Sequence, residues 1–143
     1  MIFLDANVVL RSLTDSDDPI VQRWSRQAGA LLTHADRGEA DLTTSDAVLA
    51  EVAFILTAKS HYRLSVSEAA ASLAAVVASR GLKLNDKRSI LRALDLWESH
   101  PRIGFVDALT AAYAQLPGMQ LATFDTDFDG IQDISSWTFA DPD

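Results

Sequence analysis

Short strand-like runs alternate with helix-like stripes along this chain, and that alternation most narrows the folds open to it. Ile2–Leu4 is an apolar run that ends at Asp5, and Gln120–Phe124 is another that ends at Asp125. Ala40–Thr44 and Leu82–Leu84 are weaker strand candidates between them. The intervening segments repeat their apolar residues at helical spacing. Strands separated by helices predict an α/β fold with a mostly parallel central sheet flanked by helices. Open sheets of this kind take ligands at the carboxyl ends of their strands, where Asp5 and Asp125 fall.

The helices carry their own signals. Pro19 suits a first helical position after the turn Asp15–Pro19, and Ile20, Val21, Trp24, Ala28, Leu31, Leu32 and Ala35 then form one stripe stopped by Gly38. Arg23, Arg26 and Arg37 fall off that stripe and read as a solvated face. Ser65 and Glu68 form a capping box for a helix over Val66–Arg80 that Gly81 closes. A further helix runs from about Asp86, with Ile90, Leu91, Leu94 and Trp97 inward, and Pro101 follows its end.

Two helices hold carboxylates in unusual places. Ser45 or Asp46 caps a segment, AVLAEVAFIL, that is apolar nearly all round except for Glu51. Burying that carboxylate among Ala47, Val48, Phe54 and Ile55 is costly unless it is paired or holds a metal. Lys59 and Arg63 lie too far along the helix to be local partners, which favours a functional Glu51 over a structural ion pair. In IGFVDALTAA, Gly104 caps or breaks, and Asp107 falls in the first turn of an otherwise apolar helix. Free N–H groups and the macrodipole keep a carboxylate ionised there, although alone such a residue is worth only roughly a few tenths of a kcal/mol.

Composition limits the function classes. The chain of 143 residues, 48% of them apolar, predicts one ordered domain over residues 1–143. It has no cysteine, which excludes disulfide scaffolds and Cys-based zinc sites and suits a reducing cytoplasm. The opening MIFLD shows no signal peptide, and the apolar run Ala47–Ala58 is too short to span a bilayer, so no membrane role is expected. A net charge of −8 argues against simple non-specific nucleic-acid binding. Every Lys and Arg lies at or before Arg102, while Ile103–Asp143 holds seven aspartates and no base.

Carboxylates that converge without cations repel one another, and a divalent cation resolves the conflict. Oxygen ligands without Cys or clustered His select Mg²⁺ or Mn²⁺ over zinc, and His34, His61 and His100 show no ligand spacing. DTDFDG over Asp125–Gly130 matches the opening of an EF-hand loop, but its twelfth position is Ser136 rather than the bidentate Glu required there. Lys83, Lys87, Arg88 and Arg92 cluster, as a solvent-facing helix also would.

The segments LDANVVL, TTSDAVLAEVAF, FVDALTAAYA and LATFDTDFDG, in that order and spacing, resemble PIN-domain ribonucleases of the VapC type, the toxins of bacterial and archaeal toxin–antitoxin pairs. The resemblance covers essentially the whole chain and implies a three-layer PIN-like fold. It implies that Asp5, Glu51, Asp107 and Asp125 form an acidic catalytic site for Mg²⁺, or Mn²⁺, with Asn7 and Thr123 as polar residues that orient it. Asp127 and Asp129 exceed the usual four acids, and Asp127 is taken as a supporting residue. The resemblance further implies cleavage of single-stranded or loop RNA, a homodimer, and inhibition by a cognate antitoxin protein. Two other readings stand beside it: a catalytically silent PIN-like binding module, and a phospho-receiver domain. The receiver needs a late Lys, and none follows Lys87.

Overall fold

β1 is brief, covering only Ile2–Phe3, and the chain passes through Asp5 directly into α1, Ala6–Leu13. The computed structural model describes residues 1–142. After α1 come α2 (Pro19–Asp36), β2 (Leu42–Thr43), α3 (Asp46–Thr57), α4 (Val66–Val77), α5 (Lys87–Ser99) and α6 (Phe105–Ala114), then a short 3₁₀ turn at Thr126–Phe128. β1 and β2 run parallel, with Ile2 opposite Leu42 and Phe3 opposite Thr43. The chain at Leu82 adds a parallel bridge on the far side of β2, where Leu42 N–H donates to Gly81 O at 2.8 Å and Lys83 N–H to Leu42 O at 2.7 Å. A second parallel bridge joins Leu121 to Ser136. Every strand pairing among the described residues is parallel, and the fold is α/β.

Helix starts follow their sequence signals. The Asp18 carboxylate accepts from Ile20 N–H at 2.8 Å with Pro19 at the first helical position, and the Ser45 hydroxyl accepts from Val48 N–H at 3.2 Å. Ser65 and Glu68 exchange both bonds of the capping box. α4 ends three residues earlier than expected, at Val77, because the chain must then bring Gly81 hard against α2. A Cβ at Gly81 would overlap Ala35, so only glycine admits this approach. Lys87 secures the same turn: its ammonium donates to Ser79 O at 2.7 Å and Leu82 O at 2.8 Å. Burial there, with Lys83 nearby, lowers its pKa, while Asp36 acts in the opposite direction. Two members of the basic cluster, Lys87 and Arg92, therefore have a structural use, since Arg92 also donates to Gln115 at 2.9 Å.

α3 lies centrally, packed on α1, α4 and α6, while α5 packs on α4 and α6. Leu49, Val52 and Leu56 of α3 join Leu4, Leu42, Leu73, Val77, Leu82 and Ile90 in one buried core. Trp97 meets Phe105 edge-to-face at 5.7 Å, which seats the start of α6 on the end of α5.

Three expectations need correction. Ile2 and Phe3 are 45% and 60% exposed, and of the first run only Leu4 is buried, because β2 covers one edge of β1 and no described strand pairs with the other. Gln120–Phe124 contributes one bridge rather than a buried strand; Phe124 is 87% exposed and stacks on Phe139 at 4.4 Å. Glu51 is exposed, not buried: α3 turns Ala47, Glu51 and Phe54 outward and buries the opposite side. No helix among the described residues is long and apolar enough to cross a membrane.

Candidate active site

The carboxyl ends of β1 and β2 are locked together just before the first acid. Thr44, buried at the end of β2, donates its hydroxyl to Leu4 O at 2.9 Å. Asp5 follows in the N-cap position of α1, with extended backbone (φ −82°, ψ 161°). Residues of this type at an N-cap ordinarily accept from the helix's own N–H groups. Asp5 does not; its side chain makes no capping bond. The carboxylate is exposed and stays available to something outside the helix.

Asp107 occupies the third position of α6, half-buried, near the positive end of the helix dipole. It borders a cavity of about 400 Å³ between α3 and α6, together with Ala50, Phe54, Thr57 and Arg102. Glu51 lies one turn before Phe54 on the exposed side of α3 and is not among the residues that line this cavity. α3 and α6 are held in register by the Tyr113 hydroxyl, which donates to Asp46 Oδ2 at 3.0 Å and lies 3.3 Å from Asp86 Oδ2. Burial, then the Asp46 and Asp86 carboxylates, push the Tyr113 pKa well above the usual tyrosine value.

Asp125 stands apart from these elements in the chain. Its Oδ1 accepts from Asp127 N–H at 2.8 Å and so opens the 3₁₀ turn, while its own N–H donates to Thr123 Oγ1 at 3.0 Å. Thr123 thereby shapes the turn that carries Asp125. Asp127 and Asp129 are exposed beyond it, while Phe128 between them is buried. Asn7, exposed in the first turn of α1, lines a groove between α1 and α2.

The donor chemistry suits a hard divalent cation, being all carboxylate with no thiolate. His34 pairs with Glu39 at 2.6 Å, and His100 Nδ1 lies 3.1 Å from Leu96 O, so both belong to local structure. His34–Glu39 is the one salt bridge among the described residues, so no Lys or Arg there neutralises Asp5, Glu51, Asp107 or Asp125. The assembled geometry does not match the chemistry. Among the described residues, no group of three or more acidic, His or Cys side chains is gathered closely enough to hold a metal. The fit is one of ligand type and uncompensated charge, not of a formed coordination shell.

Sequence reasoning missed the Asp46–Tyr113–Asp86 tie and the groove between α1 and α2. Their members are far apart in sequence, and no local pattern joins them. Arg102, which borders the Asp107 cavity, is legible only as the last base before the acidic third of the chain.

No curated protein matches the chain. The PIN domain family does, over residues 2–134, a span that contains Asp5, Glu51, Asp107 and Asp125 together. With that match and its parallel α/β architecture, the chain belongs to the PIN domain family, a nuclease-type domain.

Proposed function

We propose that this chain is a metal-dependent endoribonuclease, the toxin of a toxin–antitoxin pair, which hydrolyses phosphodiesters in single-stranded or loop RNA. The observation that carries the reading is Asp5, a carboxylate at the carboxyl end of a parallel strand that neither caps its helix nor meets a cation. In this reading Asp5 and Asp107 are the principal ligands of Mg²⁺ or Mn²⁺, and Glu51 and Asp125 complete the acidic set. A bound cation would supply charge neutralisation at the scissile phosphate and a lowered pKa for attacking water. The chain's own part is positional: Thr44 fixes the strand end that presents Asp5, Trp97 and Phe105 seat the helix start that presents Asp107, and Thr123 shapes the turn of Asp125. Arg102 at the cavity rim offers a guanidinium to a phosphate beside the cut.

A homodimer and a cognate antitoxin belong to the same proposal. Phe54 and Val106, 71% and 60% exposed, line the Asp107 cavity and form an apolar surface suited to a second copy of the chain. An Arg from the antitoxin would pair with the acids and compete with metal. The separation of the carboxylates favours one second reading, a catalytically silent binding module. Metal-dependent cleavage of RNA by the purified chain, and its loss in Asp5→Asn, separates the two.

A further inference from the structure

A cavity of about 470 Å³ opens between α1 and α2 and has no part in the site described above. Asn7, Val8 and Arg11 of α1 form one wall, and Trp24, Gln27 and Leu31 of α2 the other. Its size is that of a small-ligand pocket. Trp24 is 50% exposed at its lip and also lines an adjoining hollow with Ile20 and Arg23. The expected helical stripe of α2 thus leaves its first half open, although Ala28 and Ala35 are buried.

The polar groups in this groove make few bonds within the protein. Arg11 is half-buried and donates one N–H to the Tyr62 hydroxyl at 3.2 Å. Among the described residues it pairs with no carboxylate. A guanidinium has five N–H donors, and removing one from water without an anion is costly. The side-chain amides of Asn7 and Gln27 face the same cavity, and neither makes a hydrogen bond among the described residues. α1 and α2 carry Arg11, Arg23 and Arg26, while the aspartates of this segment, Asp15, Asp17 and Asp18, lie in the loop that joins the two helices, with Asp18 engaged as the cap of α2.

We propose that this groove is a nucleotide subsite for the RNA strand, next to the acidic site. A base stacks on Trp24, Asn7 and Gln27 bond to its edge, and the adjoining phosphate sits on Arg11. Each wall matches one part of a nucleotide: an aromatic face for the base, amides that both donate and accept, and a cation for the phosphate. Position agrees with chemistry, because Asn7 lies in the first turn of the helix whose N-cap is Asp5. The subsite rests on the nuclease reading above. A guanidinium without a carboxylate partner and two exposed amides beside an aromatic face favour a nucleotide over an apolar protein helix as the occupant.

Binding of a fluorescein-labelled single-stranded RNA oligonucleotide of mixed sequence, measured by anisotropy in EDTA so that it stays intact, tests the assignment. Trp24→Ala is expected to bind about tenfold more weakly, the lower end of what one stacked base contributes, while Trp24→Phe stays within about threefold of wild type. Arg11→Gln should weaken binding and flatten its salt dependence by about one unit of slope. In cleavage assays with Mg²⁺, Trp24→Ala should raise KM with little change in kcat. Asp5→Asn, by contrast, should abolish cleavage and keep the affinity measured in EDTA. If wild type cuts RNA and Trp24→Ala binds it equally well, the groove is a protein-docking or purely structural feature, and the subsite is wrong while the nuclease reading stands. If wild type neither binds nor cuts RNA, both fall.

Discussion

The Tyr113 hydroxyl donates to the Asp46 carboxylate at 3.0 Å and ties the end of α6 to the first turn of α3, 67 residues away in sequence. Asp86, at the start of α5, approaches the same hydroxyl at 3.3 Å. One proton is thus shared between two carboxylates, and three helices meet at one oxygen. α3 and α6 also border the cavity that Asp107 lines, so this contact helps to set the spacing of its two walls.

Tyr113→Phe should therefore lower stability by about 1 kcal/mol, since a partly solvated bond to a charged acceptor is lost. The tie also has a pH signature. Tyr113 titrates near 10 when unfolded and higher when folded, because burial and the two carboxylates oppose its ionisation. Its contribution is then complete below about pH 10 and is lost as pH rises through the folded value. Melting temperatures between about pH 8 and about pH 11 should fall more steeply for wild type than for Tyr113→Phe. Parallel curves would show that the hydroxyl is not held as described.

Gly81 gives a second test of the fold. A Cβ there would overlap both the Cβ and the carbonyl of Ala35, and the Gly81 carbonyl and the Lys83 N–H are both committed to bonding with Leu42. Gly81→Ala should cost about 2 kcal/mol through overpacking. For a chain of this size that is a fall in Tm of roughly 4–8 °C, readable by circular dichroism. An unchanged Tm would mean that α2 and this turn are further apart.

Helix caps were the most legible part of the fold, because Asp18, Ser45 and the Ser65–Glu68 pair each act within four residues. Strands were less legible. An apolar run such as Ile2–Leu4 signals extended chain, but only its neighbours decide burial, and β1 has one. The same holds for Glu51: an apolar helix predicts a buried carboxylate unless one face is left to solvent, as α3 leaves Phe54. The positions of Asp5 at the end of a strand and of Asp107 in the first turn of a helix were readable because such boundaries are locally encoded. The Tyr113 tie and the Trp24 groove join residues distant in sequence, so no periodicity announces them.

The three clustered aspartates should separate by role. Asp125 is fixed by bonds to Asp127 N–H and, through its own N–H, to Thr123, whereas the Asp129 side chain is exposed past the turn. Asp125→Asn keeps an oxygen for the Asp127 N–H but removes the charge, so it should cut activity strongly and raise the Mg²⁺ requirement at an unchanged Tm. Asp129→Ala should do little, and Asp127→Ala should be intermediate. Single-turnover cleavage against metal concentration decides among them, and a harmless Asp125→Asn beside a dead Asp129→Ala would move the fourth ligand.

Phe54 tests the proposed dimer. It is 71% exposed on α3 and contributes nothing to the buried core, so Phe54→Glu should fold normally. Size exclusion with light scattering should show wild type as a dimer and the variant as a monomer. A monomeric wild type, or a variant that remains dimeric, places the interface elsewhere or removes it.

The central claim is that Asp5 and Asp107 bind a catalytic cation, and one comparison addresses it most directly. Wild type, Asp5→Asn and Asp107→Asn, purified identically to exclude contaminating nuclease, are incubated with single-stranded RNA in Mg²⁺, in Mn²⁺ and in EDTA. The account predicts cleavage by wild type with either metal, none in EDTA, and a loss of at least about a hundredfold in both variants at unchanged Tm. Undiminished cleavage by either variant, or wild-type cleavage that persists in EDTA, would contradict it.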